Sequence, residues 1–513
     1  MLFNSYPFIF VYLPIVLVGF FLISRKTQLG GIFWLGLLSL VFYGYVNPKL
    51  VCLLLVSIVI NFLTSVYLMR LSRRHAKYLL VAIIGANLLC LGVFKYLNFF
   101  ILTANYFHAD WPALNILLPV GISFFTFTQI AFLVDVYRGL AKESQFIHYL
   151  LFVTWFPHLI AGPVLHHSQM MPQFKTPATY RPNWESFAIG ATFFTIGLFK
   201  KVVLADEFAL LANPLFDDAA MGSEPKLLAA WVGATAYSLQ LYFDFSGYCD
   251  MAIGLSRLFN IKLPLNFDSP YRASSMIDFW RRWHITLSRF LRDYLYVPLG
   301  GNRKGAARRY VNLMVTMILG GLWHGANWTF VLWGALHGGY LLLNHLWRAV
   351  LGQRGDSTKR ASSRALFRVL GVGLTFTAVV VAWVPFRSES LEATLNIWSG
   401  MLGLNGLSLP VALAPLLPES LRDSTSFAGF MPELRASTLS IFLWMTTGLT
   451  IVWCLPNTQQ WLALYAPACD AVAIYSRRLT WKPSAAYGFT LGIVFAISVM
   501  LFKKNSPFLY YQF

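Results

Sequence analysis

Runs of some twenty apolar residues recur along this chain from one end to the other, and few folds accommodate that pattern. A hydrocarbon layer of about 30 Å is crossed by about 20 apolar helical residues. Within such a layer only helices and closed barrels satisfy every backbone group. A barrel would show alternating segments of about ten residues, whereas these runs are continuous. Composition agrees: of 513 residues, 57% are hydrophobic and 12% charged, against a charged share of about a quarter in soluble chains. The expected fold is an all-α polytopic membrane protein. Candidate spans lie near 7–24, 31–46, 50–68, 78–103, 115–135, 147–165, 186–204, 228–257, 309–345, 368–386, 438–455 and 486–502. Some of these segments read as broken or re-entrant, so about 11 to 13 membrane segments are expected.

Basic residues orient the spans. Arg25 and Lys26 follow the first, Arg70, Arg73, Arg74 and Lys77 the third, and Arg138 and Lys142 the fifth. Placing the N-terminus outside puts all three clusters in the cytoplasm, as positive-inside sorting requires. The RRLTWK stretch at 477–482 then also falls inside, leaving the C-terminus periplasmic. The net charge of +19 is explained by such loops; no base-reading module accompanies it, so nucleic acid is not an expected partner. The N-terminal stretch lacks a basic n-region and a small-residue cleavage site and reads as a retained span. The five cysteines are scattered, with no C-x-x-C pair, which gives neither a disulfide framework nor a zinc pattern. One membrane-embedded domain over 1–513 is expected. Its motif-dense core is at about 115–345, with a basic cytoplasmic loop at 352–368 and a Pro- and Ser-rich external loop at about 404–436.

Four stretches carry chemistry. The first, DFWRRWHITLSRFLRDYLYVPLGGNRKG, begins at Asp278. Taken as one helix over 278–296 at 100° per residue, it gathers Arg281, Arg282, Arg289 and Arg292 in one sector. Trp280, Leu287, Leu291 and Leu295 fall in another, with His284 among them. A basic stripe beside an apolar face suits an interfacial helix, whose arginines meet lipid phosphates, an anionic donor, or both. Arg303 and Lys304 lie in the glycine-rich stretch that follows, which matches neither a Walker nor a dinucleotide fingerprint. The second stretch, GGLWHGANWTFVLWGALHGG, places His324 inside an apolar segment. An ionisable residue there is a functional hypothesis by default. Gly320, Gly321 and Gly325 around it permit close backbone approach or a helix break, and irregular backbone at that depth belongs beside a cavity. His337, 13 residues on, reads as structural.

The third, LQLYFDFSGYCDMAIGL, holds Asp244 and Asp250 in an apolar segment. Each needs a partner: an arginine of the 281–292 helix, or a catalytic histidine that it orients. The fourth, WFPHLIAGPVLHHSQMMPQF, has a Gly162-Pro163 break between His158 and the pair His166-His167. Adjacent histidines do not share a helix face, and no acidic residue is spaced to join them, so no metal site is expected. Lys200 and Lys201 read as the end of a span.

Together these four stretches resemble the membrane-bound O-acyltransferase family. The resemblance is to the bacterial branch that contains the alginate O-acetylation membrane protein. It covers residues 1–345 with the motifs in order, and the remainder in hydropathy alone. It implies tilted helices around a funnel. In it, His324 is the catalytic residue of the W-H-G motif and His284 a second tunnel residue. It further implies a coenzyme-A thioester donor, expected here as acetyl-CoA, entering from the cytoplasm. It implies as acceptor an exported polysaccharide, served by a periplasmic acetyltransferase partner, and a place in the bacterial inner membrane among its lipids. Acyl transfer needs a base for the attacking hydroxyl and a donor for the oxyanion, and a neutral imidazole accepts a proton near pH 7. On that footing His324 is the expected base. His284 is the expected orienting or oxyanion residue, with Asn327, Asp244 and Trp323 as candidate helpers. Arg281, Arg282, Arg289, Arg303 and Lys304 would receive the donor's phosphates. No resident cofactor is expected. Rival acceptors are peptidoglycan, cellulose and, with D-alanine as the acyl group, teichoic acid; a transporter without chemistry is the distant alternative.

Overall fold

The computed structural model describes the chain except for residues 46, 352–360, 423–424, 477–479, 503–505, 507 and 510–513. Helices account for 72% of it. They are α1 Pro7–Ser24, α2 Gln28–Gly44, α3 Lys49–Leu68, α4 Arg73–Tyr106, α5 Ile122–Tyr137, α6 Phe146–Thr154, α7 His167–Phe174, α8 Trp184–Ala220 and α9 Leu227–Leu258. There follow α10 Met276–Arg282, α11 Ile285–Leu291, α12 Gly305–His324, α13 Trp328–Leu351, α14 Ala361–Arg387, α15 Leu391–Met401, α16 Thr438–Cys454 and α17 Ala485–Met500. Among the described residues, α1, α3, α4, α8 and the 365–387 part of α14 are long and apolar enough to cross a membrane, and α2, α5, α16 and α17 are shorter apolar helices. The chain is a multi-pass membrane protein.

Three expected spans are reshaped by their own breakers. The span near 115–135 is helical only from Ile122, after Gly121 takes a left-handed conformation at φ 74°. The span near 147–165 stops at Thr154, and Pro157, Gly162 and Pro163 keep the next stretch in turns. The run at 309–345 is two helices, α12 and α13, separated at Gly325–Asn327. The basic loop expected at 352–368 lies in its first nine residues outside the described ones, as do Arg477 and Arg478 of the RRLTWK stretch. The stretch expected as an external loop contains, among its described residues, short helical turns at Val411–Leu416, Glu419–Arg422 and Pro432–Leu434 and a two-residue parallel pairing of Leu407–Ser408 with Thr425–Ser426.

The chain forms two compact units. The first comprises Met1–Phe199, Gly247–Asn266 and Thr458–Gln512; the second comprises Lys200–Ser246 and Phe267–Asn457. In the first, α3 and α4 are tied by reciprocal amides: Asn61 Nδ2 donates to Asn87 Oδ1 at 3.2 Å and Asn87 Nδ2 to Asn61 Oδ1 at 2.8 Å. Polar side chains inside a membrane protein find such partners because lipid offers none. Further along, α8 and α9 cross where Cβ atoms added at Gly190 and Gly197 would lie 2.7 and 2.5 Å from the carbonyl oxygens of Gly254 and Gly247, so only small residues fit. Asp250 is met there by the Thr458 hydroxyl, which donates to its Oδ2 at 2.6 Å.

The second unit holds a layer of stacked aromatic side chains. Trp383 of α14 lies with its ring 4.9 Å from Trp283 and 5.8 Å from Trp333 of α13, and Phe279 of α10 stacks on Trp283 at 5.7 Å. Here α12 and α13 pack as an antiparallel pair in closest approach at Gly321 and Gly334. A Cβ at Gly321 would stand 2.2 Å from the Phe330 carbonyl oxygen, and one at Gly334 2.5 Å from that of Met317.

Candidate active site

His324 is the last residue of α12, and the glycine pattern around it is explained by that position. Gly321 lets the backbone of α13 come close, and Gly325 continues in an extended conformation with the Phe330 ring against it. The chain turns, and α13 begins at Trp328. Asn327 caps it: its Oδ1 accepts from the Thr329 amide at 3.1 Å, while its Nδ2 donates to the Glu389 carbonyl at 2.9 Å. The side chain expected as a catalytic helper is therefore engaged in closing the turn.

The imidazole of His324 is buried, at 4% exposure, within a cage of rings. Centroids of Trp323, Trp333 and Phe386 lie 4.9, 5.1 and 5.1 Å away, each near edge-on. Such packing fixes the plane of a ring without requiring a charge on it. Trp323, an expected helper, thus serves as a wall.

His284 is the second buried imidazole, and the structure changes how it arrives. The expected single helix over 278–296 is two short helices, α10 and α11, broken at Trp283 and His284. His284 takes a left-handed conformation, φ 43° and ψ 53°. For a residue other than glycine this costs about 1–3 kcal/mol and persists where surrounding structure imposes it, commonly at functional sites. The break frees His284 from the helical register, and its ring reaches to 6.3 Å from that of His324, with Phe245 at 4.9 Å and Trp323 at 6.0 Å. Two imidazoles from separate helices thus share one aromatic enclosure. His337 adjoins it, 4.7 Å from Trp333 and 5.2 Å from Trp280. Among the described residues neither of its ring nitrogens has a hydrogen-bond partner.

The break also scatters the basic stripe. Arg282 turns to Asp278, donating from Nε to Oδ1 at 2.9 Å, and to the Asp268 carbonyl at 3.3 Å. Arg289, Arg303 and Lys304 are exposed. Arg281 lines a cavity of about 400 Å³ together with Arg292, Arg309, His345, Ser288 and Tyr296. Of the five expected donor contacts, Arg281 is at this cavity, and Arg309 and His345 of α12 and α13 join it from outside the expected set. The Nε of Arg309 is buried and, among the described residues, lacks a hydrogen-bond partner, a donor available to an anion. Trp280 lines the same cavity, its ring meets Trp333 at 5.8 Å, and Trp333 meets His324 at 5.1 Å, so these two rings stand in series between the cavity and His324.

Asp244 is held by Lys201, whose Nζ lies 2.8 Å from its Oδ1 and 2.9 Å from Oδ1 of Asp206. All three are buried, at 1%, 3% and 8% exposure for Asp244, Lys201 and Asp206. Lys201 is therefore the centre of an enclosed ion triad and not the mark of a span end. A lysine pair inside an apolar run, with an aspartate five residues after the second lysine, was the available signal. No local signal could show that Phe386 faces His324 with Trp383 behind it on Trp333, although their spacing of three puts both on one face of α14.

A family model for the membrane-bound O-acyltransferases matches residues 137–371. The peptidoglycan O-acetyltransferase of Helicobacter pylori is 43% identical over 80% of this chain and 81% of its own length. The chain belongs to the membrane-bound O-acyltransferase family. A second relative, the "Probable alginate O-acetylase AlgI" of Azotobacter vinelandii, is 35% identical over 100% of both chains. Similarity therefore extends through the last third, beyond residues 1–345. The teichoic acid D-alanyltransferase of Streptococcus thermophilus is 26% identical over 52% of this chain and 68% of that protein. The chain is by that membership a membrane-bound O-acyltransferase, and His284 and His324 both lie within the matched residues 137–371.

Proposed function

We propose that this O-acyltransferase moves an acetyl group from acetyl-CoA on the cytoplasmic side to hydroxyls of a polysaccharide outside the bacterial inner membrane, directly or through a periplasmic acetyltransferase. The observation that carries the reading is the shared enclosure of His324 and His284, with ring centroids 6.3 Å apart, joined through the rings of Trp333 and Trp280 to a cavity bearing Arg281, Arg292 and Arg309. In the reaction, the acceptor hydroxyl attacks the thioester carbonyl carbon while a ring nitrogen of His324 takes its proton. His284 donates to the oxyanion that forms on the carbonyl oxygen. The carbon–sulfur bond then breaks, the proton passes from His324 to sulfur, and the free thiol leaves by the route it entered. The cavity's guanidinium groups hold the donor's phosphates. Clusters such as Arg25–Lys26 and Arg138–Lys142 support cytoplasmic placement of the loops that carry them and a periplasmic N-terminus.

Relatives named for alginate and for peptidoglycan support two acceptors, and 43% identity to the Helicobacter pylori protein favours peptidoglycan as the second reading. The test uses the purified protein in proteoliposomes with radiolabelled acetyl-CoA and, in turn, alginate, peptidoglycan fragments or a short-chain alcohol. Wild-type protein should release free coenzyme A and label an acceptor. His324→Ala, correctly folded, should lose transfer by about 100-fold or more. Retained transfer in that variant refutes the assignment of the base, and the absence of thiol release with any acceptor refutes the donor.

A further inference from the structure

Asp135 lies in the last turn of α5 at 1% exposure, His166 immediately precedes α7, and His167 begins it. In a helix, neighbouring histidines point apart. His166 has extended backbone instead, φ −102° and ψ 138°, and the two rings stand side by side with centroids 4.4 Å apart. Both face Asp135: His166 Nε2 is 2.7 Å from Oδ2 and His167 Nδ1 is 3.4 Å from the same oxygen. The acidic partner that sequence spacing did not offer is supplied by the fold.

The far sides of the rings are also set. His166 Nδ1 lies 2.6 Å from the Ser168 hydroxyl and accepts from the Ser168 amide at 3.3 Å, capping α7. His167 Nε2 lies 3.3 Å from the Leu140 carbonyl, which can only accept, so Nε2 carries the hydrogen. In the neutral ring Nδ1 then presents a lone pair to a carboxylate. That nitrogen is buried and, among the described residues, has no hydrogen-bond partner. A lone pair facing an anion at this distance is repulsive unless a cation lies between them. A proton on His167 is one such cation; a metal ion is the other, and it uses His166 as well.

We propose that Asp135, His166 and His167 bind a divalent first-row transition metal ion, with zinc the best match to two imidazoles and one carboxylate. The three donor atoms lie within 4.8 Å of one another. Zinc bonds of about 2.0–2.2 Å in a tetrahedron put ligand atoms about 3.4 Å apart. The His167 contact already has that spacing, and the His166 contact opens by less than an ångström. The Leu140 carbonyl on the outer nitrogen of His167 is the kind of partner that orients a ligating histidine. Arg138 Nη1 sits 3.8 Å from Oδ1 of Asp135, on the oxygen away from the two imidazoles. His166 is partly exposed, with 36% of its side chain accessible, which gives the ion a path and a fourth position for water. Such an ion would pin the start of α7 to the end of α5.

The experiment uses the full-length protein, purified in detergent with a non-histidine affinity tag and no chelator. Elemental analysis should find about one equivalent of zinc per chain. After chelation and dialysis, added Co²⁺ should give ligand-field absorption in the visible that Zn²⁺ abolishes. His167→Ala and Asp135→Asn should each weaken Zn²⁺ binding at least tenfold, while the exposed His75→Ala leaves it unchanged. Should the site variants fail to fold, the wild-type cobalt spectrum decides alone. Absence of both stoichiometric zinc and a cobalt spectrum in wild-type protein, or zinc affinity unaltered in folded His167→Ala, overturns the proposal.

Discussion

Gly321 offers a direct test of whether helix packing places the base. It lies one turn before His324, where α12 and α13 approach most closely. A methyl group there would stand 2.2 Å from the Phe330 carbonyl oxygen, whereas ordinary contact begins at 3.4 Å, so Gly321→Ala demands about 1.2 Å of separation at a backbone atom that cannot rotate away. His324 sits at the end of the displaced helix, and a misplacement of about 1 Å at a reacting group costs roughly 100-fold in rate. Gly320→Ala is the internal control: its Cβ would meet only Leu291 Cδ1, at 3.2 Å, the tip of a side chain that can give. Both variants would be purified, checked for a monodisperse elution profile and thermal midpoint, and assayed for acyl transfer at saturating donor. Gly321→Ala should lose roughly 100-fold in kcat, and Gly320→Ala less than about threefold. Wild-type kcat in folded Gly321→Ala, or equal losses in the two variants, would refute the view that this crossing sets the position of the imidazole.

The remaining expectations concern charge. Lys201→Met strands two buried carboxylates, and breaking an enclosed ion pair costs about 3–5 kcal/mol; a sharply lowered thermal midpoint is expected, partly restored by adding Asp206→Leu and Asp244→Leu, and an unchanged midpoint in the single variant would count against the triad. Arg309→Gln should raise the KM for the thioester donor more than it lowers kcat, because in the proposed reaction the guanidinium holds the donor and not the reacting carbon; an unchanged KM would remove Arg309 from the proposed donor site. Glu143, in the loop between α5 and α6, is opposed by burial. The hydrogen bond from His148, the Gln145 amide and the charges of His148 and Lys175 outweigh that and hold it at about 2, below its usual 4.5. Its folded value is depressed, so its contribution to stability is complete above about 4.5 and is lost as pH falls towards about 2. The difference in thermal midpoint between wild type and Glu143→Gln should shrink across that window, and a difference independent of pH would contradict the ion-pair account.

What the amino-acid sequence determined by itself was whatever depends on a short window. Apolar length set the helical membrane class, because the backbone's hydrogen bonds must close within each span. The rarity of an ionisable group in such a span singled out His324, and glycine beside it announced the close helix contact later found at Gly321. Breakers were legible where they were Gly or Pro, as at 162–163. Tertiary structure decided the rest. Nothing local marks Trp283–His284 as a helix break: neither residue is a breaker, and the left-handed turn at His284 is held by the packing around it. That break removed Arg282 and Arg289 from the cavity and brought His284 to His324. Asp244 needed a cation, and several arginines were nearer in sequence to the motif than Lys201, but burial with Asp206 made the choice. Phe386, a wall of the enclosure, and Trp383, which backs Trp333, come from a stretch whose hydropathy says only that it is a helix. Asp135 meets His166 and His167 across two helices that spacing cannot relate. Propensity and hydropathy act over a turn or a span, whereas pairing of buried charges and rings is settled by which faces the folded helices present to each other.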